Sequence, residues 1–289
     1  MAPARMHADE LEIDEALVRR LLAEQFPRWA ELPLSRVEPQ GTVNAIFRLG
    51  DELAVRLPRL AEWSADDGEL RLLPRLAPLL PLEIPRPLAL GEPGAGYPCR
   101  WLVVTWLAGE TAPVTELVPV EAAHDLAAFV AALQQADADG VTAGRDRLAE
   151  RDARTREHVA RLGAVALAAW ERALAAPSWE KPPVWQHGDL DCRNWLVRDG
   201  RISGVIDWGS PGAGDPAADV MVAWKLHSPE ARESFRDALV VDDDTWTRAR
   251  GWVVVQAAMI LGYYTPENNP ELYREAESWL EQVLVELAE

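Results

Sequence analysis

Cysteine is nearly missing from this 289-residue chain. Cys99 and Cys192 are the only two, too few for a disulfide framework, and no C-x-x-C spacing points to zinc or redox work. Lysine is equally scarce: Lys181 and Lys225 stand against 27 arginines, and neither lies in the first 104 residues. Long apolar runs are lacking too. The longest, Trp252 to Tyr264, contains Gln256 and is too short to span a bilayer. Acids come early in MAPARMHADELEID, and no apolar segment there reads as a signal peptide. Basic charge is outweighed, with a formal net charge of −18 and a pI near 4.7. That argues against nucleic acid, whose phosphates need a basic face. Together these absences predict a soluble, cytoplasmic protein with no membrane or nucleic-acid partner.

What is present is core material. Hydrophobic residues make up 48% and tryptophan occurs 13 times, enough to exclude disorder and to fill one large domain or two lobes. Apolar spacing predicts a helix over Asp14–Phe26, with Asp14 as its cap. Ala45–Leu49, the Gly50-Asp51 turn and Glu52–Leu57 read as a β-hairpin. A short helix fits Asp66–Leu76, with Leu70, Leu73 and Leu76 on one face. Strands follow around Pro87–Leu90 and Trp101–Trp106. Beyond Gly109 the pattern turns helical, over Val120–Gln135, Arg145–Ala175, Pro229–Val240, Thr245–Leu261 and Pro270–Leu287. Ser228-Pro229-Glu230 and Asn269-Pro270-Glu271 are helix starts, each with a capping side chain, a proline in the first turn and an acid near the dipole's positive end. Only Val184–Asp207 interrupts, with extended pieces at Val184–Gln186, Trp195–Val197 and Ile202–Ile206 around an Asp199-Gly200 turn. The class is α+β, with residues 1–104 a small antiparallel-sheet lobe, 105–109 a hinge and 110–289 a mainly helical lobe. Residues 1–104 carry 12 basic and 16 acidic side chains, and residues 105–289 carry 17 and 31. Most of the negative field therefore lies in the helical part.

The chemistry concentrates in QHGDLDCRNWLV, residues 186–197. Asp189 and Asn194 have the Asp-x-x-x-x-Asn spacing of a protein-kinase catalytic loop, and thirteen residues on, Asp207 ends an apolar strand where the D-F-G aspartate would stand. Phosphoryl transfer asks for such groups: a carboxylate and an amide oxygen to hold Mg²⁺, which prefers oxygen ligands, and a second carboxylate to take the hydroxyl's proton. Turn-forming Asp and Asn residues are the dull alternative. His187 has no second histidine nearby to make a metal site, so it reads as structural. Cys192 reads as a small loop thiol, since nothing points to an activating partner.

On His187-Gly188-Asp189-Leu190…Asn194, Val205-Ile206-Asp207-Trp208 and Gly214-Asp215-Pro216-Ala217-Ala218-Asp219, the chain resembles the aminoglycoside phosphotransferase family, small-molecule kinases with the protein-kinase-like fold. The three segments stand in the family's order, and the resemblance covers essentially the whole chain. It implies that Asp189 is the catalytic base and that Asn194 and Asp207 bind Mg²⁺. His187 and Asp215 would be architectural, holding the catalytic loop's backbone, with Asp219 helping. Asp191-Cys192-Arg193 departs from the family's small run, and Asp191 or Arg193 could face substrate.

The first lobe would hold ATP or GTP. Its strand Leu53-Ala54-Val55-Arg56-Leu57 resembles V-A-I-K with Arg56 in the lysine's place, so Arg56 does the phosphate work or the contact is missing. Glu69, thirteen residues on, could pair with Arg56 or face solvent. The phosphate loop would lie at Gly41-Thr42-Val43-Asn44, with Gly41, Thr42 and Asn44 as contacts and one glycine in place of three. Thr105 and Leu107 fall at the adenine-binding hinge, where backbone groups act. Trp101, Trp106, Trp185, Trp195, Trp208 and Trp224 crowd the motif regions and read mostly as core.

The function expected is Mg-dependent transfer of a γ-phosphoryl group to a hydroxyl of a small molecule. A cationic acceptor such as an aminoglycoside suits the acidic lobe, which includes Val241-Asp242-Asp243-Asp244. A macrolide, a cyclic peptide antibiotic, an amino alcohol or a sugar are alternatives in the same class. A nucleotide-binding scaffold without catalysis and a metal hydrolase using His187, Asp189 and Asp207 are alternatives outside it. Monomer and homodimer both stand open.

Overall fold

The computed structural model describes residues 9–37, 43–65, 67–111, 119–145, 147–209 and 211–287. The chain divides into two compact units, Met1–Pro78 with Glu83–Ala108, and Leu79–Leu82 with Gly109–Glu289.

The first unit is an antiparallel five-stranded sheet with two helices. In chain order these are α1 (Glu15–Gln25), β1 (Leu34–Arg36), β2 (Asn44–Leu49), β3 (Leu53–Pro58), α2 (Gly68–Leu76), β4 (Pro87–Gly91) and β5 (Trp101–Thr105). The strand order is β1-β2-β3-β5-β4. Period-two burial on β2 sends Ala45, Phe47 and Leu49 into one core with Val55, Leu57, Trp101 and the α1 residues Val18, Leu21 and Leu22. Ala54, Leu102 and Val104 gather in a smaller second cluster. Asp14 caps α1 as expected, its Oδ1 accepting the Leu17 N–H at 2.7 Å. Helix α2 buries Leu73 and Leu76 as expected, together with Leu72, and leaves Leu70 exposed.

The second unit holds α3 (Pro119–Gln135), α4 (Leu148–Arg161), α5 (Ala164–Ala175), β6 (Val184–Gln186), β7 (Trp195–Arg198), β8 (Arg201–Val205), β9 (Gly212–Gly214), α6 (Ala217–Val220), α7 (Pro229–Leu239), α8 (Asp243–Tyr263) and α9 (Pro270–Glu286). The helix expected over Arg145–Ala175 is two helices. Gly163 at φ +108 takes a conformation closed to other residues and starts α5 afresh. Strands β7 and β8 form a hairpin closed by Asp199 and Gly200, both at positive φ, as a primed turn requires. Strand β6 pairs with β9, which composition did not suggest. Helix α8 is the unit's axis, buried from Thr245 to Ala258 along most of its faces and packed on α4, α5, α6 and α9. Ser228 and Asn269 cap α7 and α9 by accepting the Ala231 and Leu272 N–H groups at 3.2 Å. Among the described residues, no helix is long and apolar enough to cross a membrane.

Candidate active site

The site in the second unit is built on the exit of β6. Gly188 follows Gln186 and His187 at φ +82, a left-handed turn that swings the chain out of the strand. The carboxylate of Asp219, 1% exposed on α6, holds that turn by accepting the main-chain N–H of His187 at 2.7 Å and of Gly188 at 2.9 Å. Burial pushes the Asp219 carboxyl up, against the pull of His187 and these two N–H donors. His187 is fully buried against Trp208, with ring centroids 4.6 Å apart. Its Nδ1 accepts the Asp189 N–H at 3.2 Å and its Nε2 donates to Ile206 O at 3.0 Å. Both ring nitrogens are thus in use, and His187 is no metal ligand in this arrangement.

Asp189 then stands with its side chain 46% exposed, an accessible acid amid buried neighbours. Asn194 Nδ2 donates to Asp189 O at 2.9 Å and reaches its Oδ2 at 3.5 Å. The Ile206 N–H donates to Asn194 O at 2.9 Å, which ties Asn194 to the strand leading into Asp207. Asp207 adopts φ +62, a strained setting for a non-glycine residue. Its hard oxygens and the amide of Asn194 form a donor set suited to Mg²⁺, without sulfur or free imidazole.

The sequence profile of the phosphotransferase enzyme family matches residues 35–252, three quarters of the chain, and spans this loop, Asp207 and Asp219. The chain belongs to this family. The solved structures agree on the protein-kinase-like fold. An aminoglycoside 2′-phosphotransferase-IIIa in complex with GDP superposes with a TM-score of 0.72 at 16% identity, covering 95% of this chain and 99% of that one. A GDP and kanamycin complex of a 2″-phosphotransferase gives 0.72 at 17% identity, covering 93% and 98%. A macrolide 2′-phosphotransferase from Brachybacterium faecium gives 0.58 at 23% identity, covering 94% and 97%. No curated protein sequence matches the chain.

The phosphotransferase departs from sequence expectation at several residues. Asp215 does not hold the loop through its side chain. It accepts the Ala217 N–H at 3.0 Å and pairs bidentately with Arg248 of α8, at 2.6 and 3.1 Å, so Asp219 carries the loop-holding role. The Asp215 carbonyl does accept Gln186 Nε2 at 2.6 Å. Asp191 cannot face substrate. It is 0% exposed and accepts from Arg193 Nε at 2.8 Å and Lys225 Nζ at 3.1 Å. Burial would raise its carboxyl, but the charges of Lys225 and Arg193 overturn that and hold it far below the usual range. Arg193 keeps a side chain 44% exposed. Asp191, Cys192 and Glu275 bring three metal-capable groups together, but Lys225 and Arg193 already balance their charge, and burial beside Asp191 pushes the Cys192 thiol up. Of the acidic run Asp242-Asp243-Asp244, Asp242 caps α8 and Asp243 pairs with Arg236, and all three stay exposed.

Three residues escaped the sequence reading. Arg145 donates through Nε to Gly188 O and lies 3.7 Å from Asp189 Oδ1. Gln256 Nε2 approaches the same oxygen at 3.5 Å from α8. Lys225 lies beneath the loop. Lys225 left a signal as a lone lysine inside the apolar run MVAWKL, and Gln256 as the polar residue inside the run Trp252 to Tyr264; Arg145 left none.

In the first unit, Arg56 donates to Glu69 Oε2 at 2.7 Å. Asn44 begins β2, and Thr105 ends β5 with its Oγ1 accepting the Arg86 N–H at 2.9 Å. Leu107 is half-buried just beyond. The Trp106 N–H donates to Glu52 O at 2.7 Å. Gly41 and Thr42 lie outside the described residues.

Proposed function

We propose that this phosphotransferase moves the γ-phosphoryl group of a Mg-bound nucleoside triphosphate to a hydroxyl of a cationic antibiotic of the aminoglycoside type. The single observation that carries the reading is Asp189, left exposed by a loop whose other polar residues are tied down. Asp189 accepts the hydroxyl proton as the acceptor oxygen attacks phosphorus, and the bond from phosphorus to the nucleoside diphosphate oxygen breaks in line. Asn194 and Asp207 would hold the Mg²⁺, which neutralises charge on the phosphates when bound. Arg56, oriented by Glu69, would pair with phosphate oxygens. Asn44, Thr105 and Leu107 would line the nucleotide, with backbone groups doing most of the binding.

The aminoglycoside acceptor is supported by the acidity of the helical unit and by the neighbours named above. A macrolide is the second reading, favoured by the higher identities to two macrolide phosphotransferase structures, 23% and 20%. Nucleotide consumption across a panel of aminoglycosides, macrolides and amino alcohols decides between them. A phosphorylated aminoglycoside is expected, and Asp189→Asn should lower its formation by about 10²-fold or more while nucleotide still binds. Binding of Mg-nucleotide with no panel member phosphorylated would leave a scaffold instead.

A further inference from the structure

Lys225 is one of two lysines in the chain, and it is 1% exposed. It lies in the 3₁₀ helix Met221–Leu226, which continues directly from α6. Its Nζ donates to Leu190 O at 2.8 Å and to Asp191 Oδ2 at 3.1 Å, and sits 4.8 Å from the Trp279 ring centroid. The ammonium is therefore satisfied on every side, at a site with no solvent to share the work. Burying a paired charge seldom adds stability over a well-packed apolar side chain. In some proteins such a pair instead serves to impose one geometry on its surroundings.

The geometry imposed here is that of the catalytic loop. The Leu190 carbonyl belongs to the peptide one residue beyond Asp189. The Asp191 carboxylate caps the 3₁₀ turn Cys192–Asn194 by accepting the Arg193 N–H at 3.2 Å, and its main-chain carbonyl accepts the Asn194 N–H at 2.9 Å. Fixing Asp191 thus sets where Asn194 emerges. On the other side of Asp189, Asp219 fixes His187 and Gly188. Asp219 and Lys225 come from one continuous segment, so Asp189 is flanked by two anchors on the same piece of chain.

We infer that Lys225 and Asp191 are positioning residues for phosphoryl transfer, a buried ion pair that sets the spacing between Asp189 and Asn194. The inference rests on the roles proposed above for those two residues. Neither Lys225 nor Asp191 touches substrate; both act through the peptide they hold.

The test measures ATP turnover with the best acceptor of the panel, or with water where no antibiotic serves, alongside amide hydrogen exchange of residues 187–194. Lys225→Met should lower kcat at least ten-fold, leave KM for ATP within two-fold, and speed exchange at Arg193 and Asn194 about ten-fold. Lys225→Arg, which keeps a cation, should recover part of kcat. Should Lys225→Met fail to fold with the Asp191 charge balanced by Arg193 alone, the double variant Asp191→Asn, Lys225→Met removes both members of the pair and decides the matter. It should fold, with kcat as low as expected for the single variant. A folded variant lacking the ion pair with kcat within two-fold of wild type and unchanged exchange overturns the inference. Exchange reads the anchoring independently of chemistry. Full activity in Asp189→Asn alongside faster exchange in Lys225→Met would sink the base assignment and leave the anchor standing.

Discussion

Arg56 on β3 and Glu69 on α2 form a 2.7 Å ion pair whose side chains are only 11% and 12% exposed. The strand whose Leu53-Ala54-Val55-Arg56-Leu57 resembles V-A-I-K thus carries an arginine, and a helix acid holds its guanidinium. A guanidinium, unlike an ammonium, matches phosphate oxygens with a planar fork of N–H donors, which suits bidentate capture. Arg56→Ala should raise the KM for nucleotide about ten-fold or more. It should also cost about 1–3 kcal/mol of stability through the loss of this nearly buried ion pair. Isothermal titration with Mg-ADP and a thermal melt check the two effects separately. Unchanged nucleotide affinity would remove Arg56 from the binding site.

Asp219 offers a sharper test of loop anchoring. Asp219→Ala deletes the acceptor of two buried N–H groups, at a cost of about 1–3 kcal/mol for each left unpaired. Thermal unfolding should move down accordingly. Turnover at a temperature where the variant is folded should fall by more than ten-fold. Asp215→Ala, by contrast, should lower the melting temperature through the loss of the Arg248 pair and spare much of the turnover. Equal losses of turnover in the two variants would refute this division of labour.

The C-terminal helix is tied down by Glu286. It accepts from Trp246 Nε1 at 3.0 Å and Trp224 Nε1 at 2.9 Å and pairs with Arg250. Burial raises its carboxyl, and the Arg250 and Trp246 hydrogen bonds outweigh that, leaving it below the usual 4.5. A depressed acid contributes stability that is present above pH 4.5 and is lost as pH falls through the folded-state value. Glu286→Gln should therefore be less stable than wild type at pH 7. The gap should narrow as pH drops below 4.5, as followed by denaturant melts across that range. A gap independent of pH would contradict the assignment.

Much of the site could be read from the chain because its parts are local. Asp189, Asn194 and Asp207 lie within nineteen residues, and their spacing reflects one strand–loop–hairpin unit. Ser228 and Asn269 were legible as caps because capping needs only the next three residues. Arg145 and Gln256 were not legible. They reach Asp189 from 44 residues upstream and 67 downstream, and even the isolated polarity of Gln256 in its apolar run does not say which residue it meets. The split between α4 and α5 was missed because alanine-rich flanks hide a single glycine in a continuous apolar period.

The sequence by itself determined the α+β class, the caps of α1, α7 and α9, the spacing of the motif residues and the arginine at position 56, since these follow from residue type and short spacing. Tertiary structure alone decided which acid serves which neighbour. Asp191, Asp215 and Asp219 carry the same side chain, and short-range pattern does not tell them apart. One is consumed by Lys225, one by Arg248 and one by the backbone of the catalytic loop. A carboxylate takes whichever donors folding brings within hydrogen-bonding reach, and here the decisive ones lie 31 to 34 residues away.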